Sequence, residues 1–251
     1  RRGIAAGIAA GIGRDSKNSP GSVRLQSGPR GPRGGAPNWG SGFLPTSYQG
    51  VPFRSTGAPI LNLDNPKGIA REEQERFIGA VNSLNKLRLS ETGDGEIATR
   101  IASYEMAFRR QASAPELMEL SGESQETMQL YGVEKGKPSF AMNCLLARRL
   151  IEAGAGFITV QSAGWDNHAD GNNPGIVDGM NMLGPPLDKA LAAFLSDLEA
   201  RGLSDKVLTI VTGDFGRTPT INRNGGRDHW ANLCTLALFG GGLRMGQVIG
   251  Q

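Results

Sequence analysis

The sequence predicts an α/β fold with a mostly parallel sheet and one antiparallel late strand. Three observations carry this. From residue 138 onward, apolar stripes at helical spacing alternate with short β-rich runs. One of those runs, residues 206–212 (KVLTIVT), is nearly continuous in apolar residues, the pattern of a strand with helices over both faces. The link from Asp214 to Leu233 has no helical pattern, so the strand after it lacks a crossover and is expected to run antiparallel.

The chain of 251 residues is long enough to bury a sizeable core. Two segments are expected, a Gly/Pro-rich irregular segment over 1–65 and an α/β domain over 66–251. The net charge of +3 is uneven, because residues 1–35 hold seven basic side chains against Asp15. The basic character is therefore a property of the front end. No stacking aromatics accompany those arginines, which argues against a nucleic-acid partner. No stretch of 18 apolar residues exists, so no membrane span is expected. Residues 1–13 (RRGIAAGIAAGIG) mimic an export signal but are short and Gly-broken, without a clear cleavage site. Localisation stays open, with export or a periplasmic site compatible. The absence of an initiator Met and the abrupt end at Gln251 suggest a piece of a longer protein that lacks its N-terminal part and any targeting segment. Cys144 and Cys234 each lie in apolar runs and are expected to be buried free thiols, since neither has a zinc-type spacing.

Residues 66–90 are expected to form a helix that buries Phe77, Ile78, Val81, Leu84 and Leu87 as one stripe. Residues 95–111 repeat the pattern with Ile97, Ile101, Tyr104 and Phe108. One or two short helices are expected over 114–131. A further helix opens near Pro138, carries Ala141, Cys144, Leu145 and Ile151 on its apolar face, and stops at Gly154. Residues 156–161 (GFITVQ) read as a strand, and residues 185–201 as a helix with Leu187, Leu191, Phe194, Leu195 and Leu198 on one side. The two strands flanking that helix are expected to be parallel, with a right-handed crossover. The last strand is expected over Leu233–Phe239.

The candidate site follows from that order. The chain has only two histidines, and both sit near aspartate, in residues 164–168 (GWDNH) and 226–230 (GRDHW). A third acidic loop, residues 212–217 (TGDFGR), lies between them. Asp and His are oxygen and nitrogen ligands for zinc or manganese, and calcium is a further candidate. Asp166 and Asp214 each follow the C-terminal end of an expected strand, where open α/β sheets bind ligands. An antiparallel last strand would bring Asp228 and His229 to the same edge. Asp166, His168, Asp214, Asp228 and His229 are therefore the metal candidates. The bland alternative is that Asp beside His is chance, or that the carboxylate merely orients the imidazole. Arg217 and Arg227 offer guanidinium forks to an anionic substrate, against the alternative of loop salt bridges.

Several segments together resemble the domain-of-unknown-function 1501 family, which is placed in the alkaline phosphatase and sulfatase superfamily. They are residues 39–45 (WGSGFLP), 48–50 (YQG), 144–150 (CLLARRL), 164–168, 213–219 (GDFGRTP) and 224–230 (NGGRDHW). The resemblance implies an alkaline-phosphatase-like three-layer α/β/α sandwich with a divalent metal site at the strand edge. By that likeness Asp214 is the acidic ligand after a central strand, and His229 the late histidine ligand. Phe215 stands where the superfamily has His, which argues against a full two-metal centre. The family's Gly-rich N-terminal motif is absent here, and the nucleophile is unassigned; Thr212 and Thr218 lie near the loop without further support. The expected function is a metal-dependent hydrolase of small phosphate or sulfate esters. The alternative is a non-catalytic metal- or ligand-binding protein on the same fold. The oligomeric state is not legible.

Overall fold

The computed structural model describes residues 7–8, 11, 22–27, 40–41, 44, 48–53, 68–98, 101, 104–105 and 116–250. The described chain is α/β. It has a three-stranded, mostly parallel sheet and two antiparallel two-stranded sheets. It divides into two compact units, Arg1–Gly122 with Lys135–Gln161, and Glu123–Glu134 with Ser162–Gln251.

In the first unit the sheet order is β2-β1-β3, with β1 at Ser22–Ser27, β2 at Val51–Phe53 and β3 at Phe157–Ser162. Strand β1 pairs parallel with β2, Val23 opposite Val51 and Leu25 opposite Phe53. Two strands thus form inside the stretch expected to be irregular. The Gly and Pro content around them hid a short alternating run, Val23 and Leu25 against Arg24 and Gln26, which is the period of a strand. Val23 and Leu25 are fully buried. The Arg24 guanidinium between them is satisfied by the side-chain oxygens of Gln26 and Gln161.

Helix α1 spans Arg71–Thr92 and ends at Gly93 in the left-handed conformation. Its expected stripe is only partly covered: Ile78 and Val81 are half-buried beside the buried Asn82, whereas Phe77, Leu84 and Leu87 are each more than 60% exposed. Spacing identified the helix but only part of the face that turns inward. Ile97 and Ile101 are buried and Tyr104 is exposed, while Phe108 lies outside the described residues.

Helix α2 is Gln125–Tyr131 and α3 is Phe140–Glu152. Ser139 caps α3, its hydroxyl accepting the Met142 N–H at 3.0 Å. At the other end Gly154 has φ +83°, and the N–H groups of Gly154 and Ala155 bond the carbonyls of Ile151 and Leu150, both at 2.9 Å. Every residue from Met142 to Arg148 is buried, the signature of a helix covered all round. Cys144 is a buried free thiol, and burial pushes it up to about 12. Helix α3 packs on β1, where Asn143 donates to the Ser27 hydroxyl at 2.6 Å. Buried Arg148 pairs with Glu152 at 2.8 Å.

In the second unit α4 runs Ile176–Ala200, nine residues earlier than the expected start at 185. Pro185 and Pro186 lie inside it. Proline interrupts a helix by removing N–H donors, but here both prolines are exposed. The carbonyls they leave free, at Asn181 and Met182, also belong to exposed residues that water can reach. The inner face of α4 buries Ala190, Ala193, Phe194 and Leu198. Asp197 on that face accepts from the Tyr131 hydroxyl of α2 at 3.1 Å and from Arg201 at 2.7 Å.

Strand β4, Leu208–Thr212, pairs only with β7, Leu236–Gly240, among the described residues. The pairing is antiparallel, as expected, with Ile210 opposite Leu238. Among the described residues β3 and β4 fall in separate sheets, and Leu208, Ile210, Leu236 and Leu238 form one exposed face where the apolar run predicts cover on both faces. The apolar run predicted a strand correctly, but its burial depends on a second layer that composition does not supply. Strands β5, Gly216–Arg217, and β6, His229–Trp230, complete the set. Among the described residues no helix is long and apolar enough to cross a membrane.

Candidate metal centre

The site is built from three loops of the second unit. The first follows β3. Consecutive tight turns, Asn167 N–H to Trp165 O (3.1 Å) and His168 N–H to Asp166 O (3.0 Å), present Asp166 and His168 together. Ala169 then turns back in the left-handed region, at φ 57°. That conformation is costly for a residue with a Cβ, and it directly adjoins His168. The second loop leads from β4 through Asp214 and Phe215 into β5. The third, residues 222–228, leads into β6. The β5–β6 register sets Arg217 opposite His229.

The third loop is tied to the first by backbone contacts. Arg227 N–H bonds the Asn167 carbonyl at 2.9 Å, and Gly225 O accepts the first N–H of α4, from Ile176, at 2.9 Å. At Gly226 a Cβ would overlap the His168 carbonyl, so only glycine permits this approach.

Three side chains converge. His168 Nε2 lies 2.8 Å from Asp166 Oδ1 and 2.8 Å from His229 Nε2, and His229 Nε2 lies 3.2 Å from Asp166 Oδ1. Asp166, His168 and His229 each offer a ligand atom within 4.8 Å of the others, the geometry of a possible metal site. A tetrahedral ion with bonds of about 2.1 Å has ligand-to-ligand edges of roughly 3.4 Å. Small side-chain rotations would open the present triangle to that size, so the donor set fits. His168 is the most enclosed of the three, and His229 is half-exposed.

Asp228 stands outside this triangle. Its Oδ1 sits 3.2 Å from His168 Nδ1, on the far side of the ring. The hydrogen bond from His168, then that from Asn222, holds its carboxyl below the usual range. Asp214 also stands outside the group. Its Oδ1 accepts the Phe215 N–H at 3.1 Å, and the Phe215 ring packs against His229 with centroids 4.4 Å apart. Arg217 reaches the triangle itself. Its Nη2 donates to Asp166 Oδ1 at 2.6 Å, and its Nη1 donates to the Arg227 carbonyl and approaches His168 Nε2, both at 3.1 Å. The Arg227 Nε is buried with no partner. Partial burial pushes the Asp166 carboxyl up. Hydrogen bonds from Arg217 and His229 and the nearby positive charge outweigh this and hold it at about 2.

Asn222 was not singled out by sequence. Its amide links the third loop to His168 and Asp228. The available signal was turn chemistry: Asn222-Arg223-Asn224-Gly225 is the pattern in which an Asn side chain bonds its own backbone. Cys234, expected to be buried, is exposed, with its sulfur 3.6 Å from the Thr212 hydroxyl. Trp165 is half-buried and donates to Ser162 at 3.0 Å, and Trp230 is exposed.

One family model matches residues 2–251, nearly the whole chain and all three loops. The chain belongs to that family, described as Protein of unknown function (DUF1501). No curated protein and no solved structure matches it. The DUF1501 match therefore establishes kinship without attaching a reaction to the Asp166, His168 and His229 cluster.

Proposed function

We propose that this DUF1501 chain carries the metal site of a hydrolase acting on small phosphate or sulfate esters, on an alkaline-phosphatase-like three-layer sandwich. The observation that carries the reading is the triangle of Asp166, His168 and His229 with a guanidinium at its side. Two imidazoles and one carboxylate suit zinc or manganese better than calcium, which prefers oxygen ligands throughout. Three protein ligands with an exposed side are the pattern of a catalytic rather than a structural zinc site. A bound ion would supply Lewis-acid polarisation of the ester oxygens. Arg217, released from Asp166, has the fork that matches a tetrahedral anion, and Arg227 is the second candidate for that role. Asp166 at about 2 is ionised at any ordinary pH, as a ligand must be.

A second reading is favoured by Phe215. Its ring packs on His229 and occupies the place after Asp214 where the resembled superfamily has a histidine ligand. On that reading the fold keeps one ion for structure or ligand binding and does no chemistry.

The test is metal content of the purified protein together with hydrolysis of aryl phosphates and sulfates. Asp166→Asn should weaken zinc binding by at least the 10–100-fold typical of losing an outer-shell partner, and hydrolysis should fall with it. Asp214→Asn is the control, and an equal loss there would bring Asp214 into the site. Stoichiometric metal without hydrolysis of any ester would select the second reading, and a wild type that binds no metal would end both.

A further inference from the structure

Asn167 is tied to all three ligands of the triangle. It stands between Asp166 and His168 in the chain, where consecutive tight turns make the backbone of each depend on its own. Its carbonyl accepts the Arg227 N–H at 2.9 Å, which joins it to the loop that leads into His229. Wherever Asn167 sits, the three ligands follow.

Its side chain makes a contact of shape. Asn167 is 4% exposed, and its Oδ1 is buried with no hydrogen-bond partner. An unpaired buried acceptor lowers stability, so polar pairing at Oδ1 does not explain its burial. The carboxamide lies against Gly179 of α4. A Cβ on Gly179 would overlap its Cγ, Oδ1 and Nδ2 at once. With so little exposure the carboxamide has no solvent to swing into, and a close-packed interior leaves little room to shift. Gly179 is buried, and its N–H bonds the Gly175 carbonyl at 2.9 Å in the usual helical pattern. Its φ is not in the left-handed region, so the backbone does not demand glycine. Inside a helix glycine is less favourable than alanine. Two touching residues that each lower stability, and that fit each other, mark a place where local rules give way to position.

We propose that Gly179 is a positioning residue of the metal centre: it is the seat of the Asn167 carboxamide, and the depth of that seat sets where Asp166 and His168 stand relative to His229. The consequence for metal rests on the function proposed above. The consequence for the loop stands without it.

The experiment compares the full chain with Gly179→Ala, Asn167→Ala and the double variant. Zinc affinity is titrated, and amide hydrogen exchange is followed by NMR in chelator. The reporters are the N–H groups of Arg227, bonded to Asn167, and of Ala169, bonded to Pro174 at 2.9 Å. Ala193 and Leu198, farther along α4, are the reference. Gly179→Ala should weaken zinc binding by roughly 10–100-fold, the range for losing an outer partner of a ligand. Arg227 and Ala169 should exchange several-fold faster, with Ala193 and Leu198 unchanged. Asn167→Ala, which empties the seat, should shift both readouts the same way. In the double variant the new methyl takes the space the carboxamide leaves, so both should return most of the way to wild type, the reverse of additivity. Unchanged zinc affinity in Gly179→Ala of a chain that binds zinc overturns the proposal. So does a loss that Asn167→Ala fails to recover, which would be plain damage to α4. If Gly179→Ala does not fold, recovery of folding and zinc binding in the double variant supports the seat, and its failure to fold overturns it. A wild type that binds no zinc, yet whose exchange follows the same pattern, supports the seat and removes the metal function instead. Exchange that ignores Gly179→Ala in such a chain overturns the proposal.

Discussion

Strands β1 and β4 contrast in what covers them. Ser22–Ser27 sits in a Gly/Pro-rich stretch and carries an arginine, yet Val23 and Leu25 have no exposed surface. Leu208–Thr212 lies in the apolar run expected to be covered on both faces, yet Leu208 is 46% exposed and Ile210 is 50% exposed. The difference lies in what packs on each. Strand β1 is central, with β2 on one side, β3 on the other and α3 on its face. Among the described residues β4 has one partner strand, β7, and a face of leucine and isoleucine that is exposed. Apolar composition shows that a strand can be buried. Whether it is buried depends on neighbours supplied from elsewhere in the chain. The contrast extends to what holds each region, an apolar helix–sheet contact around β1 and a net of polar loop contacts beyond β4.

The largest expected difference is chemical. Cys144 lies on α3 against β1, and burial pushes its thiol up to about 12. Cys234 is exposed beside Thr212 at the end of β4. At about pH 8 a thiol with the Cys144 value has on the order of a thousandfold less thiolate than an ordinary exposed cysteine. Native protein should therefore label once with iodoacetamide, at Cys234, and twice after denaturation. Mass mapping that finds Cys144 labelled in the native protein would show that α3 does not stay packed on β1. Next in size is Leu25→Ala, which should cost roughly 2–5 kcal/mol in a denaturant titration, the range for truncating a fully buried leucine. A loss below about 1 kcal/mol would show that β1 is not a core strand.

Much of the candidate site was legible because its residues sit in short loops at strand ends. The antiparallel direction of β7 follows from a connection without a helix, and β6 on that connection brings His229 beside Asp166 and His168. The partnerships themselves were hidden. Along the chain Asp228 neighbours His229 and Asp166 lies near His168. In space Asp228 contacts His168 rather than its chain neighbour's ring, while Asp166 contacts both rings. A neighbour-based reading cannot see this cross-pairing, which is made by loops meeting at Gly226. Strand β1 was hidden for a different reason. Its alternation is only six residues long and has an arginine where a polar surface residue would normally face water. The register of α1 was half hidden because its most buried position is Asn82: of the predicted stripe, Ile78 and Val81 lie on the inward face while Phe77, Leu84 and Leu87 turn outward.

A smaller effect tests whether polar contacts hold the loops beyond β4. Asp166 at about 2 lies below its unfolded value of about 3.9, so its ionised form is favoured by folding. The sign follows: its contribution is complete above about pH 4 and is lost as pH falls toward 2. In chelator, the unfolding midpoint of wild type should drop further between pH 4.5 and 2 than that of Asp166→Asn. With the side chain 37% exposed, solvent screening keeps the difference modest. Parallel acid profiles in the two proteins would mean that the contacts of Asp166 with Arg217 and the two histidines add nothing to stability.

The smallest expected effect is the most direct test of the exposed face. Ile210 points to the same side of the ribbon as Leu208, opposite Leu238, and half of it faces solvent. Replacing it by serine keeps the β4–β7 ladder, because the backbone hydrogen bonds do not depend on the side chain. It removes apolar surface that contributes little while water still reaches it. Ile210→Ser should therefore change the unfolding free energy by about 0.5 kcal/mol or less, as surface substitutions do. It should also raise solubility, because a contiguous apolar patch favours association. The same substitution at a covered position would cost several times more, through lost transfer energy, a cavity and a buried hydroxyl. A loss of 2 kcal/mol or more at Ile210 would mean that this face is covered in solution. The contrast with β1 would then vanish, and β4 would be the doubly covered strand that its apolar run suggests.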